Sequence, residues 1–90
     1  GYEWFEKAAE QGNVHGMCVC GLELLAGVLV EQDTERGLSY LYYAVQNGNA
    51  EEKSVALGEL GFVYEQGFGV EVDEMKAQYY YSKKKELEKQ

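Results

Sequence analysis

The 90-residue chain contains no proline, a single histidine, a single tryptophan, two cysteines and only eight cationic residues against sixteen acids. Each shortage excludes something. With one histidine, His15, to serve Ser39, Ser54 and Ser82 alike, the sequence singles out no serine–histidine–carboxylate set, and catalysis is not expected. A formal net charge of −8 argues against a nucleic-acid binder, because affinity for a phosphate backbone rests on cationic contacts; basic partners are favoured instead. Apolar runs stop after a handful of residues, too few to span a bilayer as a helix. Cys18 and Cys20 stand two apart, so on a helix their side chains point about 200° from each other and cannot readily be bridged. The lack of a disulfide-capable pair leans toward a reducing, cytoplasmic compartment. The chain opens on Gly1 and not Met, with no charged-then-apolar leader, and the expectation is a piece of a longer protein.

What is present is ordinary globular composition, 46% hydrophobic and 27% charged, in a length that supports one core. The charge is unevenly spread: residues 1–74 hold most of the acids, whereas five of the eight bases, Lys76, Lys83, Lys84, Lys85 and Lys89, fall in residues 75–90. The lysine run reads as a solvated final helix with cations near its C-terminus. Contact with a membrane surface or an acidic partner is the alternative.

The strongest signal is internal repetition. Trp4 to Asn13 (WFEKAAEQGN) recurs as Tyr40 to Asn49 (YLYYAVQNGN), an offset of 36, and Cys20 to Asp33 (CGLELLAGVLVEQD) recurs as Leu60 to Asp73 (LGFVYEQGFGVEVD), an offset of 40. The difference of four residues lies between Asn49 and Ala56, about one helical turn. Gly12, Gly27, Gly48 and Gly67 close apolar-periodic segments, as expected where a helix ends in a left-handed residue. Asn13, Asp33, Asn49 and Asp73 follow where new helices should be capped, and Asn49 with Glu52 forms a capping-box pattern. The spacing predicts an all-α protein with helices at about 1–11, 14–26, 33–47, 50–66 and 73–88 and no strands. Gly21 and Gly61 occupy equivalent helix-interior positions, where each costs up to about 1 kcal/mol relative to alanine, which implies close helix approach.

The segment LGFVYEQGFGVEVDEMKAQYYYSKK resembles a Sel1-like repeat, a relative of the tetratricopeptide repeat. Ala56, Leu60, Gly61, Tyr64, Gly67, Gly69, Val70, Asp73, Lys76, Ala77, Tyr80 and Tyr81 fall in the family register. Gly21, Gly27, Val30, Asp33, Arg36, Tyr40, Leu41, Ala44 and Gly48 do so one repeat earlier, and Trp4, Phe5, Lys7, Ala8, Ala9 and Gly12 form an N-terminal half repeat. The resemblance implies an α/α solenoid of antiparallel helix pairs, one domain over residues 1–90 divided as 1–12, 13–48 and 49–90. It implies a protein-interaction scaffold or adaptor without catalysis of its own. A rival reading is the non-catalytic, substrate-recruiting or regulatory C-terminal module of a larger enzyme. Two departures stand out. Leu29 replaces the second loop glycine supplied by Gly69, so the first connector must strain a leucine or take another path. Lys84 and Lys85 replace Ala44 and Val45, so the last helix loses its packing stripe after Tyr81, as a terminal repeat does.

No metal or cofactor is expected. His15, Cys18, Cys20 and Glu23 share helix faces only in pairs, and Cys20 occupies a leucine position, where it packs as a small hydrophobe. Gly67 to Val72 (GFGVEV) lacks the third glycine and the preceding strand of a dinucleotide loop. Of the eight tyrosines, the resemblance implies core positions for Tyr40, Tyr64, Tyr80 and Tyr81. Tyr42 and Tyr43 stand where the chain elsewhere has Glu6 with Lys7 and Ser82 with Lys83, positions expected to face solvent. That pair is the first candidate contact surface, since tyrosine offers area at low entropic cost. The second is Val19, Leu22, Phe62 and Val63, on the first helix of each pair, where such stacks are concave; an upstream repeat would instead bury Val19 or Leu22.

Overall fold

The computed structural model describes residues 1–89 as five helices: α1 Tyr2–Glu10, α2 Val14–Ala26, α3 Thr34–Asn47, α4 Ala50–Gln66 and α5 Glu74–Glu88. Among the described residues there are no strands. The boundaries follow from the caps. Asn13, Asp33, Asn49 and Asp73 each accept a hydrogen bond from the backbone N–H three residues on, satisfying donors that the first helical turn leaves without partners. At Asn49 the bond is reciprocal, its N–H donating to Glu52 Oε1 at 2.8 Å. The two long connectors close alike, Asp33 N donating to the Leu24 carbonyl and Asp73 N to that of Tyr64, each at 2.9 Å.

Gly12, Gly27 and Gly67 have the positive φ expected of them, but Gly48 does not: it is extended, at φ −74° and ψ 166°. Space, and not left-handed backbone, demands glycine there, since a Cβ would stand 2.7 Å from the Ala44 carbonyl oxygen and 2.8 Å from Glu52 Cβ. The first connector avoids strain, because every residue with positive φ is a glycine among those described, and Val28 and Leu29 are left exposed. In the second connector Gly69 at φ +79° lies against Leu25, whose carbonyl oxygen would be 2.7 Å from a Cβ. The Thr34 hydroxyl donates to the Gly69 carbonyl at 2.9 Å, fastening this connector to the preceding helix pair.

Consecutive helices pack on one another, and α2 also touches α4, whereas the backbones of α1, α3 and α5 stay apart and only side chains reach between them. The result is two layers, α2 with α4 and α1 with α3 and α5, in a slab of 34 × 28 × 17 Å. Close approach of α2 and α3 is reciprocal: a Cβ on Gly21 would lie 2.9 Å from the Gly37 carbonyl oxygen, and one on Gly37 would lie 2.8 Å from that of Gly21. Between α4 and α5 the Tyr81 ring covers Gly61. The main core contains Leu25, Leu41, Ala44, Ala56, Leu60, Val63, Tyr64 and Ala77, and a smaller cluster of Ala9, Met17 and Cys20 joins α1 to α2. Cys18 and Cys20 are both free and buried.

Candidate functional site

The α2–α4 layer presents two parallel stripes, related by the offset of 40 between repeats: His15, Val19 and Leu22 on α2, and Val55, Glu59 and Phe62 on α4. Spacings of four and three residues place each set on one helix face. Phe62 is 44% exposed and leans on Phe68 of the following connector, ring centroids 5.7 Å apart; Val55 is exposed, and Val19 and Leu22 are half-buried. Val63, expected on this surface, is instead fully buried. The reason is that α4 is wrapped by α2, α3 and α5, so it buries a wide arc that takes in Ala56, Leu57, Leu60, Gly61, Val63 and Tyr64.

Glu59 stands where the first repeat has Val19, a position that the sequence reading passed over. Its Oε1 is buried without a hydrogen-bond partner. Burial raises the carboxyl from 4.5 to about 7, opposed only in part by the neighbouring Cys18 thiol. Burial likewise pushes the Cys18 thiol up to about 12, helped by the charge of Glu59, so this cysteine is neither a nucleophile nor a ready metal ligand. Beside it, between the starts of α2 and α4, a pocket of about 270 Å³ is lined by Val14, His15, Cys18, Glu51, Glu52 and Val55, with Asn49 at its edge. Its ionisable neighbours are mainly acidic. No group of three or more potential metal ligands converges among the described residues.

On the opposite layer, α3 and α5 flank a valley floored by α4. Tyr42 does not face solvent as expected; it is half-buried, its hydroxyl 3.2 Å from that of Tyr64 and 3.5 Å from that of Tyr80. The Tyr64 and Tyr80 rings stack at 6.0 Å, and Lys76 Nζ lies 4.7 Å from the Tyr64 ring centroid. The corresponding place between α1 and α3 is spanned by an ionic contact, Arg36 to Glu6 at 4.0 Å, with Arg36 also donating to the Tyr40 hydroxyl. The position shared by Glu6 and Tyr42 therefore bridges neighbouring second helices. The register identified the equivalence but not this role. Tyr43 is exposed at 46%. Burial and the Tyr42 hydroxyl raise Tyr64 and Tyr80 above the ordinary phenol value.

Two layers of consecutive antiparallel helices, repeated caps and repeated glycine contacts define a short helical-repeat solenoid. The chain belongs to the Sel1 repeat family: the family model matches residues 1–13, 14–49 and 54–83. Repeats of this family are generally protein-interaction modules and typically non-catalytic. No curated protein and no solved structure matches the chain significantly.

Proposed function

We propose that the chain is a scaffold or adaptor module that binds another protein, or another domain of its own chain, through the α2–α4 face, and that the surface it recognises is basic. The observation that carries this reading is Glu59, a half-buried carboxyl whose Oε1 is buried without a partner, set between the exposed apolar side chains of Val55 and Phe62. A lysine or arginine from a partner would pair with the part of this carboxylate that solvent still reaches, and the apolar neighbours would exclude water from the pair. Glu51 and Glu52 at the adjoining pocket extend the acidic field, which speeds encounter with a cationic surface and weakens as salt screens it beyond about 8–10 Å. Val19, Leu22 and Phe62 are the proposed apolar contacts. The test is a short lysine-rich peptide with leucine anchors, titrated into isotopically labelled protein. Amide shifts should concentrate on Val19, Leu22, Val55, Glu59 and Phe62, and Phe62→Ala or Glu59→Gln should weaken binding while the helical circular dichroism stays unchanged. Shifts confined to other surfaces, or binding indifferent to both substitutions, overturn the reading.

A further inference from the structure

The valley between α3 and α5 deepens toward the C-terminal end of α5 into a groove of about 360 Å³, with apolar walls from Val45, Leu57, Tyr79, Tyr80 and Leu87. That volume is at the lower end of the range for ligand sites, enough for a few side chains of a bound segment. Lys53 and Lys83 also line it, with Glu86 beside Lys83.

Comparison of the two repeats makes the groove a property of this valley alone. Under the offset of 40, Tyr79 replaces Ser39, Leu87 replaces Asn47 and Lys83 replaces Tyr43. Lys53 belongs to the additional turn that α4 has over α2: α4 begins at Ala50, whereas the equivalent of the first residue of α2 is Ser54. Two of the five apolar side chains and both lysines are thus particular to the last repeat. Neither lysine is neutralised firmly. Lys53 has no carboxylate within 4.0 Å among the described residues, and Lys83 meets only exposed Glu86, at 3.8 Å, while lying 5.6 Å from the Tyr79 ring centroid.

We propose that this groove docks an acidic segment of a partner protein carrying an apolar anchor, a leucine or phenylalanine flanked by carboxylates. This rests on the reading of the chain as a protein-interaction module, but it places a second partner chemistry on the layer opposite the α2–α4 face. Charge complementarity selects the occupant. In a molecule of net charge −8 an acidic segment is repelled by most of the surface and attracted where Lys53 and Lys83 lie, close to the lysine-rich end of α5. Its anchor fills the space between Val45, Leu57 and Leu87, and its carboxylates pair with the two lysines, displacing Glu86 from Lys83.

The test uses two short peptides with the same leucine and phenylalanine anchors, one with aspartate and glutamate between them and one with lysine, each titrated into the labelled protein. The acidic peptide should shift amides around Val45, Lys53, Tyr79, Lys83 and Leu87, and Lys53→Glu with Lys83→Glu should weaken it by about tenfold or more. Tyr79→Ser with Leu87→Asn installs the side chains of the first repeat and should abolish groove binding with the helical spectrum intact. The proposal is overturned if the acidic peptide leaves these amides unmoved, if the lysine peptide binds the groove equally well, or if charge reversal changes nothing. Failure of the lysine peptide at the α2–α4 face, with groove binding retained, would count against the reading of that face and leave the groove standing.

Discussion

The Tyr42 hydroxyl lies 3.2 Å from the Tyr64 hydroxyl, so a side chain of one repeat is tied to the first helix of the next. Tyr80 joins the same oxygen at 3.5 Å. Tyr42→Phe should remove these bonds at a cost of about 1 kcal/mol. Tyr42→Glu, the residue found at the equivalent position in α1, should cost at least about 2 kcal/mol, because a carboxylate would enter a half-buried site next to two phenols. Tyr43→Lys should be nearly neutral. Denaturant titration of the three variants checks the order, and equal stabilities for Tyr42→Glu and Tyr43→Lys would contradict it.

Glu59 gives the fold a pH dependence of defined sign. Its folded value of about 7 is raised above the ordinary 4.5, so the folded state holds the proton more tightly than the unfolded one. That contribution is fully present below about pH 4.5 and is lost as pH rises through about 7. The shift corresponds to about 3 kcal/mol at most, and partial solvent access of the carboxyl reduces it to about 1–2 kcal/mol. Glu59→Gln should therefore gain stability on the wild type between pH 5 and pH 8. Thermal unfolding at both values measures the difference, and a difference between variant and wild type that is constant with pH would refute the assignment.

Interior glycines divide by what covers them. At Gly61 a Cβ would stand 2.5 Å from the Tyr81 ring, and Gly61→Ala should cost about 1–3 kcal/mol through overpacking. At Gly58 it would meet only the flexible stem of Lys84, 3.0 Å away, and Gly58→Ala should gain up to about 1 kcal/mol from helix propensity. The two substitutions should move the melting temperature in opposite directions.

Trp4 is 71% exposed and the backbone of α1 approaches only that of α2. Amide exchange should be fastest in Tyr2–Glu10 and slowest around Leu57 to Tyr64, and Trp4 emission should be that of a hydrated indole, open to quenching by iodide. Equal protection of the two segments would count against this ordering.

The helices were legible because caps and glycines act locally: Asn13, Asp33, Asn49 and Asp73 mark helix starts whatever surrounds them. Gly21 and Gly61 likewise announced close contacts that any larger side chain would block. The site was less legible. Periodicity placed Val63 beside Phe62 without revealing that α4 is covered from three sides. Register equated Tyr42 with Glu6 and Ser82, and polarity at that position suggested water, whereas Glu6 itself reaches across to Arg36. Glu59 could have been found by asking why an acid stands where the preceding repeat has Val19, and the groove by noticing Tyr79 and Leu87 in place of Ser39 and Asn47. Those comparisons need no coordinates, but the depth of the site does.

Every large interface joins helices adjacent in the chain, and the bond from Thr34 to Gly69 is one of the few fastenings across pairs. Tension applied to the ends would therefore load the interfaces one after another, not all at once. Each helix can peel from its neighbour while the remainder stays folded, and reattach when the load falls. A partner held at the α3–α5 groove would touch both α4 and α5 and so would hold the last such joint shut.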